Sequence, residues 1–227
     1  MYKIGIYGGS FDPVTKNHIS VAETVLEYVD EVWFVPCYQS PTKNVSPAIH
    51  RLNMLNIVMN KISNNNIKIS ELEIENKFVK TIDTVNLIKS NNPNIHFYFI
   101  IGLDVANKFI PTGPEASDLA FIVVSRNPYQ MVNDWFLREP HIYIDLKDDG
   151  GSSSQVRKLI KENKYPTLID IDIYNYILHK NYIFKIITKL YYVFPNNQLI
   201  HKNHIFLQFL LLYLSLILLS INNLLFE

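Results

Sequence analysis

Short apolar runs alternate with amphipathic stretches along roughly the first 180 residues of the chain. The first run, Ile4 to Tyr7, has the length and β-branched character of a buried strand and leads into paired glycines. Apolar residues then recur at helical spacing from Ile19 to Val29, which predicts an amphipathic helix. A second apolar run, Glu31 to Pro36, completes a strand–helix–strand unit. Because such a crossover joins parallel strands, the sheet is expected to be parallel.

The same alternation predicts the remaining elements. We expect a helix from Pro47 to Ile62, a strand from Ile67 to Ile74, a helix opening at Thr81, strands at 95–101, 120–124 and 142–144, and a glycine-led helix start within 148–158. His50 and Arg51 could contact an anion, but we expect both at the surface. The predicted fold class is therefore α/β, a Rossmann-like open parallel sheet with helices on both faces.

Two turns have the character of phosphate sites. In the first, Gly8 and Gly9 remove Cβ atoms from the path of a ligand, and His18 near the start of the helix could donate to a phosphate oxygen. The second, 150–157, offers serine hydroxyls, backbone amides and Arg157 at another helix start. The alternatives are a plain strand-to-helix turn with a solvated histidine, and a flexible or capping serine loop. Since both turns end a strand and start a helix, both should open on the same edge of the sheet.

Two further residues follow strand ends at that edge. Lys43 lies in the loop after the second strand and would face the same opening as His18, although a solvated loop lysine is the alternative. Asp104 follows Gly102 after the fourth strand. Its carboxylate could accept from ribose hydroxyls or bind Mg²⁺ through water, or it could cap a helix over 105–110.

Composition limits the classes of function. The 227 residues include 21 Lys and Arg against 21 Asp and Glu, so the chain lacks the basic footprint of nucleic-acid binding. The length suits one sizeable α/β domain with an appendage. The single cysteine, Cys37, excludes an internal disulfide framework and fits a reducing compartment such as the cytoplasm. The first strand begins within three residues of Met1, so we expect no targeting peptide before it.

The string Gly8–Pro13 followed by Thr15-x-x-His18 resembles the signature of the nucleotidyltransferase superfamily, in which this motif holds a nucleotide triphosphate. Asn17 stands where the motif usually has glycine. Over about residues 2 to 184 the chain resembles the nicotinate mononucleotide adenylyltransferases more closely. The strings that fall in the family order are Val32–Pro36, Ser40–Lys43, Arg51–Leu55, Thr81–Thr84, Gly102–Asp104, Val124–Arg126, Ser152–Arg157 and Tyr176–Asn181.

This resemblance implies the nucleotidyltransferase fold and a Mg²⁺-dependent transfer of AMP from ATP to nicotinic acid mononucleotide or nicotinamide mononucleotide, in NAD biosynthesis. It implies in-line attack with no covalent enzyme intermediate, and no metal site built by the protein itself. By position, it implies ATP and phosphate binding by Gly8, Gly9, Ser10, Phe11, Thr15, His18, Ser153, Ser154 and Arg157. It implies mononucleotide binding by Ser10, Lys43, Thr81, Thr84, Gly102, Asp104 and Arg126. The catalytic residues would be His18, Lys43 and Arg157.

Some positions depart from that family pattern. Thr15 replaces the usual histidine, and Thr15 and the triple serine 152–154 are more typical of pantetheine-phosphate adenylyltransferases. Thr112 stands where a tryptophan often stacks on the pyridine. Two alternatives stay open: an adenylyltransferase for another phosphorylated acceptor such as phosphopantetheine, and a nucleotide-binding protein without catalysis.

The sequence predicts a catalytic domain at 1–185 and a C-terminal extension at 186–227. Within the extension, 205–221 is almost wholly apolar and close to the length of about 20 residues that spans a bilayer as a helix. It could anchor the protein to a membrane with the enzyme facing the cytosol, or pack as a buried helix in a homo-oligomer. It could also be an incorrectly predicted extension of the chain.

Overall fold

The computed structural model describes residues 1–40, 43–108, 119–126, 133–146 and 151–181. The chain divides into two compact units, Met1–Tyr176 and Ile177–Glu227, and the fold given below is that of the first. Thr112, the boundary predicted at residue 185 and the apolar segment 205–221 lie outside the described residues. Within the described ranges, no helix is long and apolar enough to cross a membrane.

Six parallel strands form one sheet. They are β1 (Tyr2–Gly9), β2 (Glu31–Pro36), β3 (Ile67–Ile69), β4 (Ile95–Gly102), β5 (Ala120–Arg126) and β6 (Ile142–Leu146). Their order is β3-β2-β1-β4-β5-β6, with each neighbouring pair parallel. This order confirms the prediction of a Rossmann-like parallel sheet. The order reverses between β1 and β4, and ligands of such sheets bind at that reversal, beyond the carboxyl ends of the strands.

The described helices include those predicted after the first two strands, at Thr81 and within 148–158. They are α1 (Lys16–Val25), α2 (Ala48–Met59), α3 (Leu72–Glu75), α4 (Thr81–Asn91), α5 (Leu103–Ala106) and α6 (Ser153–Lys161), with a 3₁₀ turn at Asp134–Leu137 and a further helix at 171–181. Asp104 lies in the first turn of α5, and Gly102 caps that helix.

The strand predicted at 67–74 is wrong beyond Ile69. The amide of Ser70 still donates to the carbonyl of Phe34 at 2.8 Å. In a parallel ladder the next bond would run from the amide of residue 36, which is a proline and has no N–H. The chain leaves the sheet there, and Leu72–Glu75 forms a helical turn.

The hydrophobic core lies against the central strands. Ile4 and Ile6 of β1, Phe97 and Phe99 of β4 and Val123 of β5 belong to one buried cluster, together with apolar residues of α4 and α5. Burial of such a side chain contributes about 1.5–3 kcal/mol. The core therefore holds the ends of β1 and β4 in a fixed relation.

The guanidinium of Arg51 in α2 is fully buried and joins the loops that follow β1 and β2. Its Nε donates to the carbonyl of Ser46 at 2.9 Å, and its Nη1 donates to the carbonyl of Ser10 at 2.9 Å. Its Nη2 donates to the carbonyls of Cys37 and Tyr38 at 2.5 and 3.0 Å. The surface position expected for Arg51 is wrong, because its guanidinium supplies the donors that these partly buried loop carbonyls need.

His50, the neighbour of Arg51, is only half-buried. Its Nδ1 lies 2.8 Å from the hydroxyl of Tyr176, which also accepts from Nδ2 of Asn53 at 3.0 Å. These contacts tie α2 to the end of the first unit.

A carboxylate also lies near this arginine. Glu73 of α3 accepts a hydrogen bond from the hydroxyl of the buried Thr84 in α4 at 2.8 Å. Burial raises the pKa of Glu73, while the Thr84 hydroxyl and the positive charge of Arg51 act to lower it. The pair links α3 to α4.

Arg51→Met should lower the free energy of unfolding by about 3 kcal/mol, because it leaves several partly buried carbonyls without a donor. Urea denaturation measures this, with Arg138→Met as the matched control at an exposed arginine. The control should change stability by no more than about 0.5 kcal/mol. Equal losses in the two variants would contradict this role of Arg51.

Glu73→Gln tests the raised pKa of this half-buried carboxyl. As the pH rises from the ordinary Glu pKa, about 4.3, towards the raised value in the fold, the unfolded wild-type chain loses its proton first. Unfolding is thereby favoured, so the wild type should lose stability relative to Glu73→Gln across this window. Urea midpoints from about pH 4 to about pH 8 measure the difference, with the exposed Glu75→Gln as control. A difference that is constant with pH, or of opposite sign, would show that burial does not raise this pKa.

Candidate active site

A cleft of about 460 Å³ opens between the carboxyl ends of β1 and β4. Its walls come from the turn after β1, the start of α1, the loop after β2, the end of β4 with α5, and the start of α6. The structure thus brings the two predicted phosphate turns together at the point where the strand order reverses.

Most of the predicted site residues line this cleft. They are Gly8, Gly9, Ser10, Phe11, His18, Lys43, Gly102, Asp104, Ser153, Ser154 and Arg157. Thr15 and Thr84 are buried, each at 2% exposure. Thr81 is the first residue of α4 and Arg126 the last of β5, and their side chains lie outside the described part of the chain.

The three glycines of the cleft make room for different groups. A Cβ added at Gly8 would have no heavy atom within 4 Å, so this position faces open space. A Cβ at Gly9 would lie 3.0 Å from Cζ of Phe11, so the absence of a side chain at Gly9 leaves room for that ring. A Cβ at Gly102 would lie 2.6 Å from Oδ1 of Asp104, whose carboxylate therefore occupies this space.

Phe11 turns the chain sharply after β1. Its φ of 50° lies in the left-handed region, which is uncommon for a residue with a bulky side chain. Its buried ring packs edge-on against Tyr7 and His18, with centroid distances of 5.5 and 5.3 Å. The aromatic contact helps to fix the position of the imidazole.

The imidazole of His18 is oriented by Thr15, the N-cap of α1. The backbone amide of Thr15 donates to Nδ1 of His18 at 2.9 Å, and the Thr15 hydroxyl lies 2.8 Å from the same nitrogen. Because an amide can only donate, Nδ1 must accept, and the hydrogen of the neutral ring is then on Nε2. His18 is therefore a donor suited to a phosphate oxygen, and Thr15 holds it in that form.

Hydrogen bonds join the start of α6 to the turn after β1. The hydroxyl of Ser153 donates to the carbonyl of Pro13 at 2.9 Å, and Nη1 of Arg157 donates to the carbonyl of Asp12 at 2.6 Å. The carboxylate of Asp12 accepts from the amide of Ser46 at 3.0 Å. Asp12, which our residue predictions omitted, thus connects three loops. Its place in the Gly8–Pro13 string is the sequence feature that could have identified Asp12 as a residue of the site.

The first turn of α6 faces the cleft with polar groups. Ser152 caps the helix, and its hydroxyl accepts from the amide of Gln155 at 3.2 Å. The Ser154 hydroxyl accepts from Nη2 of Arg157 at 3.1 Å, so its own hydrogen can be donated elsewhere. With the amides of this first turn and the positive end of the helix dipole, these groups suit an anion.

The cleft is lined by side chains of both charges. Lys43 and Arg157 supply positive charge, and Asp12 and Asp104 are the acidic residues of the lining. In the described ranges, no group of three His, Cys, Asp or Glu residues could hold a metal ion. Asp104 could contact Mg²⁺ that arrives on phosphates, since carboxylates and water are its usual ligands.

A family model described as cytidylyltransferase-like matches residues 6–159. The "Probable nicotinate-nucleotide adenylyltransferase" of Bacillus licheniformis is 35% identical over 176 residues, which cover 74% of this chain and 89% of the relative. The nicotinate-nucleotide adenylyltransferase of Bacillus subtilis is 32% identical over 174 residues, which cover 72% and 88%.

Solved structures agree with these sequence matches. The Plasmodium falciparum nicotinic acid mononucleotide adenylyltransferase complexed with NaAD superposes with a TM-score of 0.71 at 27% identity, covering 80% of this chain and 97% of that one. The same enzyme complexed with APC gives a TM-score of 0.67. The chain therefore belongs to the cytidylyltransferase-like family and, within it, to the nicotinate-nucleotide adenylyltransferases.

Proposed function

We propose that this protein transfers AMP from ATP to nicotinic acid mononucleotide, or to its amide, and so forms the dinucleotide and pyrophosphate. The observation that carries the proposal is the meeting of two helix N-termini, α1 and α6, with Lys43 and Arg157 in one cleft. The relatives named for this reaction support it, as does the NaAD bound by the Plasmodium enzyme, since NaAD is the dinucleotide that the acid substrate would give.

The chemistry is a displacement at the α-phosphorus of ATP. An oxygen of the mononucleotide phosphate forms the new P–O bond, and the bond from the α-phosphorus to the oxygen bridging to the β-phosphate breaks as pyrophosphate leaves. The attacking phosphate is already ionised, so no general base is required. Positioning of the two anions and stabilisation of charge would therefore supply most of the rate acceleration.

Different residues of the cleft would bind different phosphates of the substrates. Nε2–H of His18 would donate to a non-bridging oxygen of the α-phosphate, where charge develops in the transition state. The amides at the start of α6, the Ser154 hydroxyl and Arg157 would hold the β- and γ-phosphates as the leaving group. Lys43, exposed in the loop after β2, would reach the phosphates of either substrate. Mg²⁺ bound to ATP would neutralise part of the phosphate charge.

The mononucleotide would occupy the side of the cleft formed by the end of β4 and α5. Gly102 and Asp104 lie there in the lining, and Thr81 begins α4. Since the Thr84 hydroxyl donates to Glu73, we assign Thr84 to the positioning of α4 rather than to contact with the substrate. Ser10 and Arg126 keep their predicted contacts with the mononucleotide in this proposal, and the reaction is placed in the cytoplasm.

Two features of the sequence favour phosphopantetheine as an alternative acceptor. Thr15 and the triple serine at 152–154 are typical of enzymes that act on pantetheine phosphate, and the phosphate-binding groups described above do not select the acceptor. The acceptor is therefore the variable to test.

The purified full-length chain should release pyrophosphate from ATP and Mg²⁺ when nicotinic acid mononucleotide or its amide is supplied. Separate reactions with phosphopantetheine should release none above the background without acceptor. A coupled pyrophosphate assay measures each rate. Pyrophosphate release with phosphopantetheine alone would show that phosphopantetheine, and not a pyridine mononucleotide, is the acceptor. No pyrophosphate release with any of the three acceptors, from protein shown to be folded by circular dichroism, would favour a non-catalytic nucleotide-binding protein.

His18→Ala should lower kcat by about 10²–10³-fold, because it removes a donor aimed at developing phosphate charge. His96→Ala is the matched control. His96 lies near the start of β4, at the amino-terminal ends of the strands, whereas the cleft lies at their carboxyl ends. The control should change kcat by less than about threefold. Should the two variants retain similar kcat values, His18 would not have the role assigned to it.

A further inference from the structure

Leu168 contacts the starts of α1 and α6, although it is not among the residues that line the cleft. Its backbone carbonyl accepts from the amide of Lys16, the first residue of α1, at 2.9 Å. It lies in the loop that follows α6, and its half-buried side chain packs against Gly151. Lys16 directly follows Thr15, the N-cap of α1, and Gly151 directly precedes Ser152, the N-cap of α6. One residue therefore contacts the chain next to both caps.

Gly151 leaves room for the side chain of Leu168. A Cβ at Gly151 would lie 2.4 and 2.7 Å from the two Cδ atoms of Leu168 and 2.9 Å from its Cγ. These distances are shorter than real Cβ atoms show, and the φ of Gly151 is not in the left-handed region. Glycine is therefore needed at this position for space rather than for its backbone conformation.

The loop that carries Leu168 is itself anchored outside the cleft. The neighbouring Ile169 is fully buried, and the carboxylate of Asp170 accepts from Nζ of Lys61, just beyond α2, at 2.7 Å. Burial of Ile169 supplies most of the anchoring, since a partly exposed ion pair contributes little. Leu168 can therefore act as a fixed support for both helix starts.

The separation of these helix starts matters for the proposed reaction. His18 in the first turn of α1 would contact the α-phosphate of ATP, and the start of α6 would hold the β- and γ-phosphates. One triphosphate can meet both groups only at one separation, and small displacements of binding groups have large effects on rate and affinity. Ser153 and Arg157 bond α6 to the turn after β1. Leu168 adds a contact with α1 itself.

We propose that Leu168 is a positioning residue for ATP, which sets the separation of the starts of α1 and α6 and thereby the affinity for the triphosphate. The inference rests on the proposed function, which places a single ATP across both helix starts. Neither contact of Leu168 lies on the side of the cleft formed by the end of β4 and α5, where the mononucleotide would bind. The effect of Leu168 is therefore specific to ATP.

Steady-state kinetics of Leu168→Ala in the full chain, with nicotinic acid mononucleotide as acceptor, tests the proposal. KM for ATP should rise about tenfold, because the two helix starts no longer hold one triphosphate together, and KM for the mononucleotide should change by less than about twofold. A variant that had merely lost stability would contain fewer folded molecules, which lowers the apparent kcat and leaves both KM values unchanged. Leu26→Ala, at a half-buried leucine at the other end of α1, is the matched control and should leave both KM values unchanged.

A double variant tests the contact with Gly151 directly. Gly151→Ala alone should also raise KM for ATP, because the added Cβ displaces Leu168. Leu168→Ala in the same chain removes the overlap, so KM for ATP should be lower in the double variant than in Gly151→Ala. Leu168→Met keeps a flexible side chain of similar size and should leave KM for ATP within about threefold of the wild-type value.

An unchanged KM for ATP in Leu168→Ala, or equal rises in the two KM values, would overturn this inference alone. A double variant in which the two single effects multiply would also overturn it, because the residues would then act independently.

Calorimetric titration of the same variants with ATP and Mg²⁺ separates these results from a failure of the proposed function. A wild type that binds ATP but transfers no AMP would overturn the proposed function, and the ATP affinities would then decide the inference. Weaker ATP binding by Leu168→Ala than by Leu26→Ala would support it, and equal binding would overturn it. A wild type that fails to bind ATP would overturn both.

Discussion

The buried guanidinium of Arg51 is the contact on which the shape of the cleft most depends. It donates to backbone carbonyls after both β1 and β2, at Ser10, Cys37 and Tyr38. A loop beyond the end of a sheet has no ladder to satisfy its carbonyl groups, and these loops are partly buried, which limits the access of water to them. One planar cation with five N–H donors meets this need for two loops at once, which an ammonium group could not do in the same geometry.

A second set of contacts closes the cleft from the other side. Arg157 and Ser153, at the start of α6, donate to the carbonyls of Asp12 and Pro13, so two helix N-termini far apart in sequence are held against one turn. Arg157 therefore has two roles, since its guanidinium fixes the turn after β1 and adds positive charge to the cleft. The imidazole of His18 at the start of α1 and the amides at the start of α6 are held in position before a ligand arrives, which is the condition for effective electrostatic stabilisation of a transferring phosphoryl group.

Much of this arrangement could be predicted because it follows from local patterns. Apolar runs separated by helical periodicity predict parallel strands, and glycine-led turns at strand ends predict where the helix starts converge. The burial of Arg51 could not be predicted in this way, since its partners come from loops far apart in the sequence. The end of β3 at Ile69 depends on the missing N–H of Pro36, a residue of the neighbouring strand. The space at Gly9 is taken by the ring of Phe11, a contact set by the left-handed backbone of that residue.

Both phosphate turns should hold one triphosphate, that of ATP, across the point where the strand order reverses. Hydrogen–deuterium exchange of the full chain, with and without saturating ATP and Mg²⁺, tests this most directly. We expect slowed exchange in both 8–18 and 151–157, because His18 at the start of α1 would contact the α-phosphate while the amides at the start of α6 would hold the β- and γ-phosphates. Slowing confined to one of these segments, or absent from both despite binding, would contradict it.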